Sequence, residues 1–549
     1  MKNSRFLVIV IALAMLISAV ACGTPTTPPS SAPASSSAAP SSVAQGNAPA
    51  EPATPDFTGT EISYWVELNA TTAQVVQEMG QTEYAKELQD RTGIVIKYLH
   101  PAAGQSKEAF NILMASGDYP DIIEYGWGKD YPGGPSAAMN NNVILPLNDI
   151  FEQNSPNIYA FLAEREEIDK MLRTDEGQYY VFPFLRADST SGSPTLFSEG
   201  FVIRTDYLDA IGKDIPSTPA EWYEVLSAFK NELNVPIPAT FRGDAKHINR
   251  ALQPGFDCWD DYYVENGKVK HGLLDAEQRR AFLTEAAKWY AEGLIDSDYL
   301  VVDRNTQASK ILNSEVAVTW APGGSGIGQW IPAFKEIDPN AGFSSAPQMT
   351  PDKNRNSKFA QMNAVFDGGG AAITTSCKNV PAAAHLLDYA YGEEGHLLNN
   401  FGIEGVSFDI VNGYPTYTDM ILNNADGKSI THAMSLYIRS HLSGALVQDA
   451  RQLEQYYELE EQRQALEYWT TTDMGQYKMP PVTPTTEESE ELAQIINNVK
   501  TFNDEMEAKF IAGLTPMSEF DAYIEQLKNF KLERAVEIQQ AAYDRFISR

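Results

Sequence analysis

Between residues 60 and 126 the apolar positions switch back and forth between strand and helix spacing. TEISYWVEL (60–68) sets Ile62, Tyr64 and Val66 on one face, the period-two alternation of a half-buried strand. QTEYAKELQDRTG (81–93) carries helical spacing and stops at Gly93, and IVIKYL (94–99) is again strand-like. SKEAFNILMASGDYP (106–120) reads as a helix opened by a Ser106 cap and closed by Gly117 and Pro120, followed by DIIEYG (121–126) as a third strand. The order β-α-β-α-β builds a mainly parallel sheet flanked by helices, which makes the fold class α/β. Ligands of such sheets bind beyond the carboxyl ends of the strands. That places the first candidate ligand-facing segments at 67–70, 100–104 and 125–128.

The same patterns recur downstream. STPAEWYEVLSAFKNEL (217–233) has Ser217 or Thr218 as a helix cap with Pro219 in the first turn, and DAEQRRAFLTEAAKWYAEGLI (275–295) is a long helix with an acidic cap. EVAVTWAPGG (315–324) is a buried strand ending in a glycine turn. Residues 368–395 read as strand, turn and a helix started at Pro381, and the last hundred residues are mostly helical. No internal repeat is visible. A folded part from about residue 57 to residue 549 is longer than one typical domain, so at least two lobes are expected.

Upstream of residue 57 the pattern is different in kind. Lys2 and Arg5 precede an apolar run from Phe6 to Ala21, too short for a membrane span and arranged as a secretory signal. Ala19-Val20-Ala21-Cys22-Gly23 resembles a bacterial lipobox, with alanine at 19 where leucine is usual. The resemblance implies that 1–21 is removed and Cys22 is lipid-modified; a plain signal cleaved after Ala21 is the alternative. Residues 24–56 are almost wholly Thr, Pro, Ser and Ala, a composition that buries no core and makes a semi-rigid tether. The chain is therefore expected on the outer face of the cell membrane, held there through Cys22.

Charge narrows the partners. The net charge of −32 becomes −34 once Lys2 and Arg5 are removed, which argues against nucleic acid or anionic lipid as a binding surface. Beyond Cys22 only Cys258 and Cys377 remain, which excludes a disulfide scaffold and a thiolate metal site.

Several stretches resemble the extracellular solute-binding lipoproteins of bacterial ABC importers, in their long carbohydrate-associated branch. They are Tyr119-Pro120-Asp121-Ile122-Ile123, YPGGPSAAMNNNVILPLND (131–149), DEGQYYVFP (175–183), IRTDYLDAIGKDIPSTPAEWYEVLSAFK (203–230), YAYGEEGHLLNNFGIEGVSF (389–408) and FIAGLTPMSEFDAYIEQLK (510–528). Their order across most of the chain carries the resemblance. It implies a two-lobed periplasmic-binding-protein-like fold with a ligand cleft at the hinge, lobe one being 57–187 with 371–445 and lobe two 188–370 with 446–549. It implies a monomer that captures a sugar or oligosaccharide, delivers it to importer permease subunits, and needs no cofactor and no catalytic residue. An anchored capture protein also gains effective concentration at an importer in the same membrane.

Sugar recognition uses aromatic faces together with planar acids, amides or guanidinium groups. FDCWDDYY (256–263) supplies Trp259 and Asp260, alternatively a core tryptophan beside solvated acids. Trp127 lies between two glycines just past the third strand, where an open loop would line the cleft. Trp65 in the first strand and Trp320 at the end of VAVTW are candidates on the same grounds, with core packing as the other reading. Arg186 after YVFPFL, Asp367 before three glycines, and Glu404 in GIEGVSF complete the set.

Sharper motifs fail on inspection. GGSGIG (323–328) lacks the spacing and the Lys-Ser/Thr of a phosphate loop. DSDYLVVDRN (296–305) starts like a calcium loop, but Leu300 stands where an oxygen ligand belongs. The histidines nearest in sequence, His432 with His441 and His385 with His396, lack zinc-hydrolase spacing, so no metal is expected. A tethered glycoside hydrolase remains the main alternative, needing two carboxylates about 5 to 9.5 Å apart across the sugar. Peptide or another polar solute, or a sensor role for a membrane kinase, are the others.

Overall fold

A computed structural model describes residues 56–549 except Ala103, Ser191 and His441. The expected signal sequence, Cys22 and nearly all of the tether lie outside the described residues. Fourteen strands follow in chain order: β1 (Glu61–Trp65), β2 (Val95–Leu99), β3 (Ile122–Tyr125), β4 (Phe182–Leu185), β5 (Glu199–Arg204) and β6 (Ile237–Thr240), then β7 (Tyr262–Glu265), β8 (Lys268–His271), β9 (Val316–Pro322) and β10 (Phe343–Ser345), then β11 (Gly370–Ile373), β12 (Phe408–Val411), β13 (Tyr414–Tyr417) and β14 (Leu446–Val447).

They form two main sheets and two hairpins. The first sheet has the order β14-β4-β11-β3-β1-β2 and the second β10-β5-β9-β6. As the β-α-β-α-β reading requires, β1 is parallel to both β2 and β3, while β11 enters antiparallel between β3 and β4. In the second sheet β6 is parallel to β9 and β5 antiparallel to it. β11 and β14 return to the first sheet after the second has been built, so the chain crosses between the sheets three times, after β4, before β11 and after β14. The expected change of lobe at 445/446 falls just before β14, which pairs with β4, so this crossing begins after Val447.

Local chemistry sets the helix ends. Gly93 terminates helix Glu83–Thr92 with φ 71°, a left-handed conformation that glycine adopts without strain. Thr218 and Glu221 form a reciprocal capping box on Pro219–Asn231. Two expected caps are not used. Ser106 is the first residue of its helix rather than its cap. Asp275 precedes Ala276–Ala291 without capping it, and accepts from the Tyr263 hydroxyl at 2.7 Å instead.

One apolar core fills the first sheet's lobe and continues through Leu196, Phe197, Ala465 and Trp469 of the crossings onto one face of the second sheet. The other face of that sheet has its own core, closed by the helices Ala276–Ala291, Thr486–Ile511 and Phe520–Asn529. Each core contains one buried ion pair between segments remote in sequence. Arg439 contacts Glu124 on β3, which also accepts from Tyr64 Oη at 2.6 Å and Ser443 Oγ at 2.7 Å. Any Cβ on Gly444 would strike that carboxylate and guanidinium, so only glycine lets Arg439 and Ser443 both reach Glu124. Arg279 contacts Glu507 and donates to Asn503 at 3.0 Å, joining helix Ala276–Ala291 to Thr486–Ile511. Both arginines are held firmly charged by these partners despite burial.

Removing one partner strands the other charge in the core. Arg439→Met is expected to destabilise the protein by about 3–5 kcal/mol, and Arg439→Met with Glu124→Gln by clearly less. Denaturant unfolding of both variants checks this; a loss below about 1 kcal/mol for the single variant would show that the pair does not hold the segment.

Candidate functional site

Because β1, β3 and β4 run toward one edge and β11 starts from it, the first sheet presents 66–70, 125–130, Arg186 and 367–369 together. The second sheet presents the ends of β6 and β9 and the start of β5, hence Arg242, Gly323, Gly324 and Glu199. The two edges meet around a junction, and within the first of them the loops after β3 and before β11 pack backbone on backbone. Gly128 N–H donates to the Gly368 carbonyl at 2.8 Å, and a Cβ on Gly128 would lie 2.9 Å from Gly368 Cα. Tyr456 and Tyr457, on the third crossing, place their hydroxyls against Gly324 and Gly323.

Mixed charge lines this junction. Lys129 Nζ lies 3.9 Å from Asp367, which also faces Arg186. A cavity of about 260 Å³ brings Lys129 and Asp367 together with Trp259, Asp261, Tyr262 and Lys478. Lys478 donates to the Met362 carbonyl at 2.7 Å, and Trp259 stacks on Phe359 at 5.4 Å and 14°. Arg250 contacts Glu199, and Asp260 accepts from Asn249 at 2.8 Å.

Arg186, Asp367 and Lys478 are half-buried, while Lys129 and Asp261 keep an exposed face. Burial pushes the Asp261 carboxyl up, opposed by its bond from the Tyr262 N–H and by Lys478. Burial likewise lowers the Lys478 ammonium and the Arg186 and Arg250 guanidinium groups, with Asp261, Asp367 and Asp260 respectively pulling back. Poorly hydrated donors and acceptors bond a polar ligand more strongly than free surface groups do, because less water has to be displaced. Alternating carboxylates and cations across a cavity of this size suit a polyhydroxylated molecule, whose hydroxyls both donate and accept.

A second cavity, about 440 Å³, opens beside the first sheet's ligand edge between Asn69, Met434, Ile438, Gln448, Leu453 and Tyr456. A wider depression of about 620 Å³ lies elsewhere, among Lys213, Tyr223, Glu224, Lys230 and Glu292. It borders the chain entering β6, at the end of that strand remote from the crossings, and its charges are mutually engaged, as in Lys213 with Glu224 at 2.7 Å.

The structure divides the expected site residues. Arg186, Trp259, Asp260 and Asp367 stand at the junction. Trp65, Trp127 and Trp320 are core residues. Trp65 packs on Phe110 and Tyr125, while Trp127 and Trp320 are wholly buried against Phe110 and Phe201. The glycines beside Trp127 serve close packing, since a Cβ on Gly126 would strike Asp130 and one on Gly128 would meet Gly368. Glu404 is exposed in the turn before the β12–β13 hairpin and lines neither cavity. Sequence reasoning missed Lys129, Arg250, Gln448, Tyr456 and Lys478. Only the Tyr456-Tyr457 pair in a polar stretch offered a signal.

Asp296, the first acid of the calcium-like stretch, accepts from Lys310 Nζ at 2.6 Å and Thr240 Oγ1 at 2.6 Å. Among the described residues no group of three or more His, Cys, Asp or Glu is placed to hold a metal ion. Cys258 and Cys377 are both free thiols, each pushed up to about 12 by burial.

A family model for bacterial extracellular solute-binding proteins matches residues 69–396, more than half of the chain. The chain belongs to that family. It is 25% identical over 356 residues to lipoprotein LipO of Bacillus subtilis, covering 62% of this chain and 66% of LipO. It is 22% identical over 490 residues to the fructooligosaccharide ABC transporter substrate-binding protein FusA of Streptococcus pneumoniae, covering 84% and 86%. The crystal structure of the alginate-binding protein AlgQ2 without calcium ion superposes with TM-score 0.71 at 22% identity, covering 89% of this chain and 98% of AlgQ2. The fold is thus the two-lobed α/β fold of substrate-binding proteins. No helix among the described residues is long and apolar enough to cross a membrane.

In this solute-binding protein the Gly128–Gly368 approach holds the loop after β3 against the residues leading into β11, within the first sheet's edge. Gly128→Ala is expected to cost about 1–3 kcal/mol, as other overpacked sites do. A thermal midpoint unchanged from the parent protein would show that this loop contact has slack.

Proposed function

We propose that this protein is a lipid-anchored capture protein, acting as a monomer, that binds an oligosaccharide between its lobes and passes it to the permease subunits of an ABC importer. One lobe comprises 57–187 with 371–447 and the other 188–370 with 448–549. The observation that carries the reading is the row of alternating charges Arg186, Asp367, Lys129, Asp261 and Lys478 beside Trp259, contributed by both lobes at the junction between the sheets, with Arg186 and Lys478 half-buried. The likeness to FusA and AlgQ2, named for fructooligosaccharide transport and alginate binding, supports a glycan as solute. The solute biases an open–closed equilibrium toward the closed form. No chemistry is performed on it. Cys22 carries the lipid, so Cys22→Ala should release the protein into the medium.

Thermal unfolding against fructo-, gluco-, manno- and N-acetylated oligosaccharides tests the reading. A bound glycan stabilises the folded state by about 2.7 kcal/mol at a hundredfold excess over Kd. The expected result is a clear upward shift with one glycan class, the glycan being recovered intact. A shift with cleaved glycan would make the protein a hydrolase, and no shift with any glycan would refute oligosaccharide capture. Asp261→Ala and Lys478→Ala should each weaken the binding glycan by at least about tenfold, the loss of a charge-assisted bond. Unaltered affinity in both, measured by titration calorimetry, would place the solute elsewhere.

A further inference from the structure

The 440 Å³ cavity differs in character from the charged junction beside it. Its lining contains no carboxylate, in a chain where acids outnumber bases 73 to 41. Met434, Ile438 and Leu453 give it an apolar floor. Most polar groups on its wall are already engaged. Arg439 is committed to Glu124; Asn69 donates to the Ser440 carbonyl at 2.9 Å and accepts from the Thr71 and Thr72 N–H groups; Gln452 donates to the Asn400 carbonyl at 2.9 Å.

Gln448 is different. It follows β14, whose partner β4 runs toward the ligand edge, and its backbone N–H donates to the Leu185 carbonyl at 2.8 Å. Its side-chain oxygen is shielded from solvent and meets no protein donor. With neither end of this amide tied to the protein, either can turn to the cavity. Tyr456, also in the lining, carries its hydroxyl to Gly324 and so joins the cavity to the second lobe.

A plain hexose buries several hydroxyls, and each left without a partner costs free energy. This cavity supplies few of them. An acetamido group asks for something else: an apolar pocket for its methyl and one amide partner for its N–H and C=O. Resting on the capture function proposed above, we propose that this cavity receives an N-acetylated sugar residue of the solute, its methyl on Met434, Ile438 and Leu453 and its amide paired with Gln448.

The test compares ligands that differ only in that group, chitotriose against cellotriose and N-acetylglucosamine against glucose, by titration calorimetry on the purified protein. Chitotriose is expected to bind at least about tenfold more tightly than cellotriose, an amide hydrogen bond plus a buried methyl. In Gln448→Leu the ratio should fall to about threefold or less, the methyl contact alone remaining. The Gln448→Leu protein should unfold at the parent's temperature, which separates lost recognition from lost fold. Equal binding of chitotriose and cellotriose, or tight binding of a fructan with no preference for acetamido sugars, would overturn this inference and leave capture standing. An acetamido preference undiminished in Gln448→Leu would overturn the assignment to this cavity. Silence from every oligosaccharide would overturn both readings.

Discussion

Each lobe depends on an arginine–glutamate pair taken out of water. Glu124 and Arg439 are 315 residues apart, and Arg279 and Glu507 are 228 apart. A buried pair of this kind stabilises little relative to an apolar core, but either charge alone is costly. The pair therefore acts as a condition on assembly: Glu124 cannot be buried on β3 at low cost unless the segment around Arg439 is brought back to it. That segment carries Arg439 and Ser440 into the wall of the larger cavity and leads directly to β14 and Gln448. The same constraint that makes a discontinuous lobe foldable thus positions its ligand edge.

The junction has a second property that follows from its surroundings. The chain as a whole is strongly acidic, yet the groups converging between the sheets balance, with Lys129, Arg186, Arg250 and Lys478 facing Glu199, Asp260, Asp261 and Asp367. The acidic excess is spread over the rest of the molecule. A balanced site does not repel a neutral solute or select by net charge, and its discrimination comes from hydrogen-bond geometry.

The elements were legible where the pattern was local. Period-two stretches became β1, β2 and β3, and their parallel pairing followed from the helices between them. The capping box at Thr218 and the stop at Gly93 were equally readable. Site residues were not, for a physical reason. A tryptophan beside a glycine looks the same in sequence whether the glycine opens a loop or admits a close neighbour; Gly126 admits the Asp130 side chain and Gly128 the Gly368 backbone, and Trp127 is buried. Lys478 and Gln448 reach the site through crossings whose paths depend on contacts across hundreds of residues, and no window of sequence contains both ends of such a contact.

The crossings also explain how such a molecule can open. Close to the sheets they are apolar and continuous with the core through Leu196, Phe197 and Trp469. Farther out, the two sides meet through ionic and hydrogen-bonded contacts, Arg549 Nη1 donating to the Arg173 and Thr174 carbonyls at 2.8 and 2.6 Å. The last helix, Leu532–Ser548, reaches the turn at 174–178 through Arg545, which contacts Asp175 and pairs with Glu488 at 2.6 Å. Arg545 keeps a third of its side chain in solvent, so the pair exchanges readily with water and contributes at most about 1 kcal/mol. An apolar hinge with ionic outer contacts resists separation of the lobes while permitting rotation. Rotation needs these outer contacts to rehydrate, a cost that a bound solute offsets through the bonds it makes with both lobes.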